Sequence, residues 1–154
     1  MPRHARYQAA ILQDGKILLI QHREHASGRA YWLLPGGGME DGETEEETVM
    51  REVREETHLE VHVEGLILDE PARPERSAYQ RYKTYLCSPV TMDAAPGAEP
   101  EPEVAAVYAI SEVGWFPLAD ESAWNEAILN DVITAPLLRR VRDALRSRAG
   151  SRGE

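Results

Sequence analysis

The sequence predicts an α/β fold in which a mixed β-sheet is flanked by helices. Three observations carry this. Apolar, strand-like runs joined by turn residues open the chain, a single well-capped helical segment separates them from loosely alternating runs beyond residue 59, and helical periodicity returns near the C-terminus. The 154 residues are 42% hydrophobic and contain no long apolar run, which suits one globular domain with a proper core and no transmembrane helix. The expectation is a single domain over 1–154, with its core at about 5–146 and a frayed tail at 148–154.

Arg6–Gln13 and Lys16–His22 are apolar runs joined by Asp14-Gly15, a dipeptide that favours a two-residue hairpin turn. Tyr31–Leu34 reads as a short strand that runs into Pro35 and three glycines, residues that break regular structure and allow close backbone approach to a ligand. A helix follows. Thr44 with Glu47 three residues later forms a capping box, so the helix begins near Glu45. Leu59–Leu68, Ala78–Cys87, Val104–Ile110 and Val113–Leu118 read as further strands. Asp93–Glu103 is acidic, proline-rich and aperiodic, and reads as a solvated loop that could still reach a metal site. Ala119–Asn130 and Ala135–Arg146 read as helices, the second with an apolar stripe of Leu137, Leu138, Val141 and Leu145.

The chemistry concentrates in the first helix. Between Glu40 and Glu60 there are ten acidic residues against two arginines. Neighbouring like charges on a helix cost about 0.2–0.5 kcal/mol per pair, a burden that bound divalent cations would remove. Glu52, Glu55 and Glu56 stand at i, i+3 and i+4 and so share one face, while Val49 and Val53 form a stripe for the core on an adjacent one. Arg51 precedes Glu55 by four residues and adjoins Glu52, where it can steer a carboxylate.

Written as G-x5-E-x7-R-E-U-x-E-E-x-G-U, with U aliphatic, this pattern resembles the signature of the Nudix hydrolase (MutT-like) family. The matching residues are Gly37, Glu43, Arg51, Glu52, Val53, Glu55, Glu56 and Leu59, preceded by Leu34–Gly38 as the usual lead-in. One fixed position departs from it: His58 stands where the family has glycine. A left-handed residue usually ends a helix there, and histidine tolerates that conformation better than most. His58 is therefore read as a helix-end residue, with an extra metal ligand as the alternative. The resemblance sharpens the fold to an α/β/α sandwich whose mixed sheet carries a loop-helix catalytic motif at one end.

The resemblance also implies a reaction. Carboxylate, carbonyl and water oxygens suit Mg2+ or Mn2+. The five histidines, His4, His22, His25, His58 and His62, make no zinc-protease spacing. The expected activity is hydrolysis of a phosphoanhydride bond in a nucleoside diphosphate linked to another moiety, such as a nucleoside triphosphate, nucleotide sugar or dinucleoside polyphosphate. The alternative is a Nudix-shaped module that senses a nucleotide without cutting it, though such a relative would be expected to have lost box carboxylates. Glu55 and Glu56 are the principal expected metal ligands, with Glu52 either a third ligand or the general base and the Gly36 carbonyl a backbone ligand. Arg51 should orient Glu52, and Glu43 either supports the cluster or interacts with the helix dipole. Glu112 and Glu103 are the candidates for a glutamate from outside the box, with Glu112 slightly preferred. Arg23 is the candidate for substrate phosphates and Trp32, Tyr79 and Tyr82 for stacking on a base, each set against an ordinary surface or core role. Pro74, fifteen residues past Leu59, lies where ADP-ribose hydrolases tend to have proline, but Pro71 is close by in a loop.

A formal charge of −10 argues against a nucleic-acid polymer as principal partner, since that affinity comes from lysine and arginine. Small phosphorylated substrates remain suited, because metal ions supply positive charge locally. No membrane association is expected, and the protein should be a monomer or homodimer. The N-terminal residues lack a secretory pattern, which predicts a cytoplasmic protein. The one cysteine, Cys87, reads as a core or edge thiol.

Overall fold

A computed structural model of the chain describes residues 3–72, 79–91, 93–97, 100, 105 and 107–152. Its elements in order are β1 (Arg3–Gln13), β2 (Lys16–Glu24), β3 (Ala30–Leu33), β4 (Gly36–Gly37), α1 (Glu45–Thr57), β5 (Val61–Pro71), β6 (Tyr79–Pro89), β7 (Tyr108–Pro117), a 3-10 turn (Glu121–Ala123), α2 (Glu126–Leu129) and α3 (Thr134–Arg152). The seven strands form one mixed sheet in the order β3-β2-β1-β6-β5, with β4 on β1 and β7 on β2. Helices cover both faces, as the α/β/α expectation requires. Among the described residues no helix is long and apolar enough to cross a membrane.

Asp14 and Gly15 have φ of 51° and 75°, the pair of left-handed conformations that a tight hairpin turn demands. β1 and β2 pair only beside that turn, through Leu12↔Ile17 and Gln13↔Lys16, and then part. The gap matters for everything that follows. On that side β4 enters and pairs with β1 through Tyr7↔Gly37 and Gln8↔Gly36, while the other edge of β1 takes β6 in parallel. The glycine loop is thus held inside the sheet.

Strand alternation sorts the core. Ala5, Tyr7, Ala9, Ile11 and Leu18 pack with Val49 and Val53 of α1, and Cys87 joins them. Ala10, Ile17 and Leu19 face the other way, onto Leu137, Leu138 and Val141 of α3. Val49 and Val53 are fully buried, each contributing about 1.5–3 kcal/mol relative to exposure. Burial pushes the Cys87 thiol up to about 12, which makes it a core thiol and no nucleophile.

Three elements differ from the sequence reading. The two strands expected at Val104–Ile110 and Val113–Leu118 are one strand, β7, whose register against β2 shifts between Gln21 and His22. A bulge breaks the alternation without breaking the pairing. The helix expected over Ala119–Asn130 is a 3-10 turn and a single α turn, because Asn125 caps a new start by accepting the Ile128 N–H at 2.9 Å. α3 runs to Arg152, past Ser147, since alanine, leucine and arginine sustain it; it opens on Asp131, whose Oδ1 accepts the N–H groups of Ile133 and Thr134.

His58 ends α1 at φ 63°, ψ 10°, its N–H donating to the Arg54 carbonyl at 3.0 Å and its side chain exposed. The left-handed reading of this position is therefore met. His58→Gly should change stability by about 1 kcal/mol or less, because relief of left-handed strain is opposed by the greater unfolded entropy of glycine. Activity should stay within a few-fold. Magnesium titrations of both proteins at pH 6 and 7 check this, and a large, pH-dependent loss of metal affinity in the variant would make His58 a ligand.

Candidate active site

The capping box forms as its sequence implies, Thr44 accepting the Glu47 N–H and Glu47 accepting the Thr44 N–H. This fixes the phase of α1 and aims its acidic face at the glycine loop. Arg51 is the hub. Its Nε and Nη2 bind the two oxygens of Glu43 at 2.7 and 3.0 Å, its Nη1 reaches Glu52 at 3.0 Å and Glu55 at 3.2 Å, and Nη2 also donates to the Gly38 carbonyl at 2.9 Å. Such a bidentate pair is short and directional. Arg51 holds the Glu43 carboxyl down at about 2, helped by the Glu40 N–H and the Thr48 hydroxyl. Glu43 is thus bound to the hub as well as placed near the helix N-terminus.

Glu56 is almost wholly buried, and its Oε1 accepts the Gly36 N–H at 2.7 Å. Glu52 is buried beside it. Burial, and then the charge of Glu56, push the Glu52 carboxyl up to about 8. Gly36 and Gly37 have no room for a side chain: a Cβ on Gly36 would run into the Tyr7 carbonyl, and one on Gly37 into the Glu52 carboxylate. The glycines in the lead-in are required by this close approach. Among the described residues no three histidine, cysteine, aspartate or glutamate side chains converge into a ready-made metal cage. Magnesium commonly takes one or two carboxylates and completes its shell with water, and the two buried, neighbouring carboxylates of Glu52 and Glu56 fit a divalent cation.

Of the acidic segment expected to be solvated, the described start, residues 93–97, is docked on the helix. The Ala95 N–H donates to the Thr57 carbonyl and the Gly97 N–H to that of Glu56, both at 2.9 Å, satisfying the open carbonyls at the end of α1. A Cβ on Gly97 would fall on the Glu55 carbonyl oxygen. Glu103 and Pro74 lie outside the described residues. Glu112 is exposed and pairs with Gln21, alternating with Val113 and Trp115, which pack on the α1 side. Strand alternation therefore sets the Glu112 side chain on the sheet face opposite α1. Arg23 donates to the Gly28 carbonyl at 2.9 Å in the β2–β3 turn.

Where β1 and β2 part, a cavity of about 540 Å³ opens, lined among others by Arg6, His22, Tyr31, Tyr79, Tyr82 and Tyr108 and closed at one end by the start of α3. Tyr79 and Tyr82 thus stand where a planar ring could meet them. Trp32 borders the cavity too, but its ring is set edge-on against Phe116 in the core at 5.1 Å. Arg6 and His22 were not among the residues that sequence reasoning selected. Both are buried polar residues interrupting an apolar strand, and that signal alone does not say which way they face. Arg6 Nη2 donates to the Leu34 carbonyl at 2.8 Å. Burial opposes its charge, but nearby carboxylates, Glu56 foremost, more than offset this and its pKa lies above the ordinary value. The His22 ring stacks on Tyr108 at 4.1 Å, with Nε2 3.8 Å from Glu56 Oε2. Burial, and then Arg6, hold it neutral with a pKa pushed down to about 3.

Comparison with known proteins decides the family: residues 2–136 match the NUDIX domain. The chain belongs to the NUDIX family. It is 47% identical over 57 residues to an ADP-ribose pyrophosphatase of Methanocaldococcus jannaschii, a stretch covering 37% of this chain and 33% of that one. It is 27% identical over 132 residues to an ADP-ribose pyrophosphatase of Mycobacterium tuberculosis, covering 84% and 60%. The chain therefore spans between a third and three fifths of the length of these relatives. Among solved structures, a NUDIX hydrolase from Nitrosomonas europaea superposes with a TM-score of 0.68 at 26% identity, covering 93% of this chain and 72% of that one. A MutT NUDIX hydrolase from Burkholderia pseudomallei gives 0.64 at 26%, covering 92% and 99%.

Proposed function

We propose that this NUDIX protein is a pyrophosphohydrolase that uses Mg2+ or Mn2+ to cleave a phosphoanhydride bond in a nucleoside diphosphate linked to another moiety. The observation that carries the reading is the adjacency of an intact carboxylate set on α1 and a tyrosine-lined cavity at the parting of β1 and β2. Glu52, Glu55, Glu56 and the Gly36 carbonyl are the residues that would hold the metal, with Glu103 the remaining candidate from outside the box. When bound, the metal supplies charge neutralisation at the bridging phosphates and acidifies water. Arg51 holds the carboxylates of Glu52 and Glu55 in one orientation, and the Gly36 N–H does the same for Glu56. Glu52, buried beside Glu56 and held by Arg51, is either a third ligand or the base that accepts the proton of the attacking water. Tyr79 and Tyr82 flank the nucleoside.

Named relatives suggest where to begin a substrate search. Two are ADP-ribose pyrophosphatases and another, from Escherichia coli, is a CTP pyrophosphohydrolase, 38% identical over 55 residues. A panel of ADP-ribose, nucleoside triphosphates, nucleotide sugars and dinucleoside polyphosphates, assayed with magnesium for release of phosphorylated product, tests the proposal. At least one class should turn over, stop in excess EDTA and resume with magnesium or manganese. Binding of a nucleotide without turnover of any class would favour the sensing module, and turnover undiminished in excess chelator would sink the metal mechanism.

A further inference from the structure

Arg6 is the charge that the catalytic assignment leaves over. It is only 9% exposed, stands on the cavity wall and belongs to neither the box nor the Arg51 hub. A buried arginine costs several kcal/mol unless its charge and donors are met. Two donors are met within β1 and the glycine loop: Nη2 by the Leu34 carbonyl, and Nε by Gln8 Oε1 at 3.4 Å, a long contact. Neither uses Nη1. Leu34, which Arg6 binds, stands two residues before Gly36, whose N–H holds Glu56. His22 on the same cavity wall lies 3.8 Å from Glu56 Oε2, so the Arg6 guanidinium and the Glu56 carboxylate share one end of the glycine loop and the charge of Glu56 offsets burial.

This arrangement gives Arg6 a partner that the reaction must take away. Once Glu52 and Glu56 are engaged by divalent cations, their negative charge is no longer available to a guanidinium that cannot lose its proton. We infer that Arg6 is a resident counter-cation of the box carboxylates that passes to a substrate phosphate when metal binds, clamping the phosphate next to the nucleoside in the tyrosine-lined cavity. The inference rests on the proposed metal-dependent function. It assigns to Arg6 the anchoring role that sequence reasoning gave to Arg23, whose Nη1 donates to the Gly28 carbonyl in the β2–β3 turn. Guanidinium geometry suits a phosphate that presents two oxygens.

The role has an uncommon signature, because one substitution should move two affinities in opposite directions. In Arg6→Gln, Mn2+ binding measured calorimetrically without nucleotide should tighten by about threefold or more, since a competing cation is gone. With magnesium present, affinity for the tightest-binding member of AMP, GMP, CMP and UMP should fall by about tenfold or more, the loss expected for a charge-assisted bond. Affinity for the matching nucleoside, which lacks the phosphate, should hardly change. Arg6→Lys should keep most of the preference for nucleotide over nucleoside. If Arg6→Gln weakens metal and nucleoside binding together, Arg6 is a brace for the glycine loop and the inference fails. Should Arg6→Gln not fold, the wild-type protein decides. Its Arg6 Nε–H resonance must shift when the nucleoside monophosphate is added in magnesium, and a resonance that stays in place overturns the inference. Failure of the wild-type protein to bind either metal or any of the four nucleotides would instead overturn the proposed function on which this rests.

Discussion

Replacing Glu56 with glutamine should lower kcat by about a hundredfold or more while leaving the fold intact. A hundredfold is about 2.7 kcal/mol of barrier, within what one charged ligand of a catalytic cation supplies. Geometry makes this substitution a clean one. Glu56 Oε1 accepts the Gly36 N–H at 2.7 Å, and an amide oxygen in the same place still accepts it, so the side chain keeps its position and loses only its charge. Arg6 keeps Glu52 as a counter-charge, and Glu52 is relieved of the neighbour whose charge most opposes its ionisation. Metal-free stability should therefore hold or rise. Glu55→Gln should lower kcat comparably, with less effect on stability, because Glu55 is partly exposed and its side chain pairs, among the described residues, with Arg51. Turnover numbers with magnesium and thermal midpoints in EDTA check both variants. Near-wild-type kcat in the pair would mean that the site lies elsewhere.

What the sequence discloses here is what neighbouring residues decide among themselves. The capping box, the Asp14-Gly15 turn, the Val49 and Val53 stripe and the left-handed exit at His58 each involve residues within a few positions of one another, and each forms as expected. The contacts of Arg51 with Glu43, Glu52 and Glu55 are nearly as local, being set by helix phase and one preceding loop. Other features depend on long-range pairing. No periodicity announces that β1 and β2 part after the turn, or that two glycines enter the gap as β4, because two residues carry no repeat. Without that gap Arg6 and His22 are merely polar residues in apolar strands. The docking of Ala95 and Gly97 on α1 is hidden for a different reason: backbone N–H groups make it, and any residue but proline supplies one. The bulge in β7 erased an alternation and so suggested two strands in place of one.

The acidity of Glu52 gives the site a pH signature without metal. Its folded pKa, pushed up to about 8, lies above the ordinary carboxylate value, so between those two values the folded protein holds a proton that the unfolded chain releases. Stability must then fall as pH rises through that window. His22 acts the other way: pushed down to about 3, it refuses a proton that the unfolded chain accepts below about 6.5, so its contribution grows as pH rises to that point and is flat beyond. The two oppose each other below pH 6.5, and only Glu52 acts between 6.5 and 8. One proton over that interval corresponds to about 2 kcal/mol, or about 4–8 °C in midpoint for a chain of this size. In EDTA the wild-type protein should lose that much between pH 6.5 and 8, whereas Glu52→Gln, which still offers Arg51 an acceptor but cannot titrate, should lose little. Saturating magnesium should flatten the wild-type profile, because a cation beside the carboxylate favours its charged form and lowers the pKa. Parallel profiles for wild type and Glu52→Gln in EDTA would show that Glu52 is already ionised at neutral pH and would overturn this stability signature. A flat Glu52→Gln profile together with a kcat reduced by about a hundredfold or more would place this one buried, titrating carboxylate in the site, as base or as ligand.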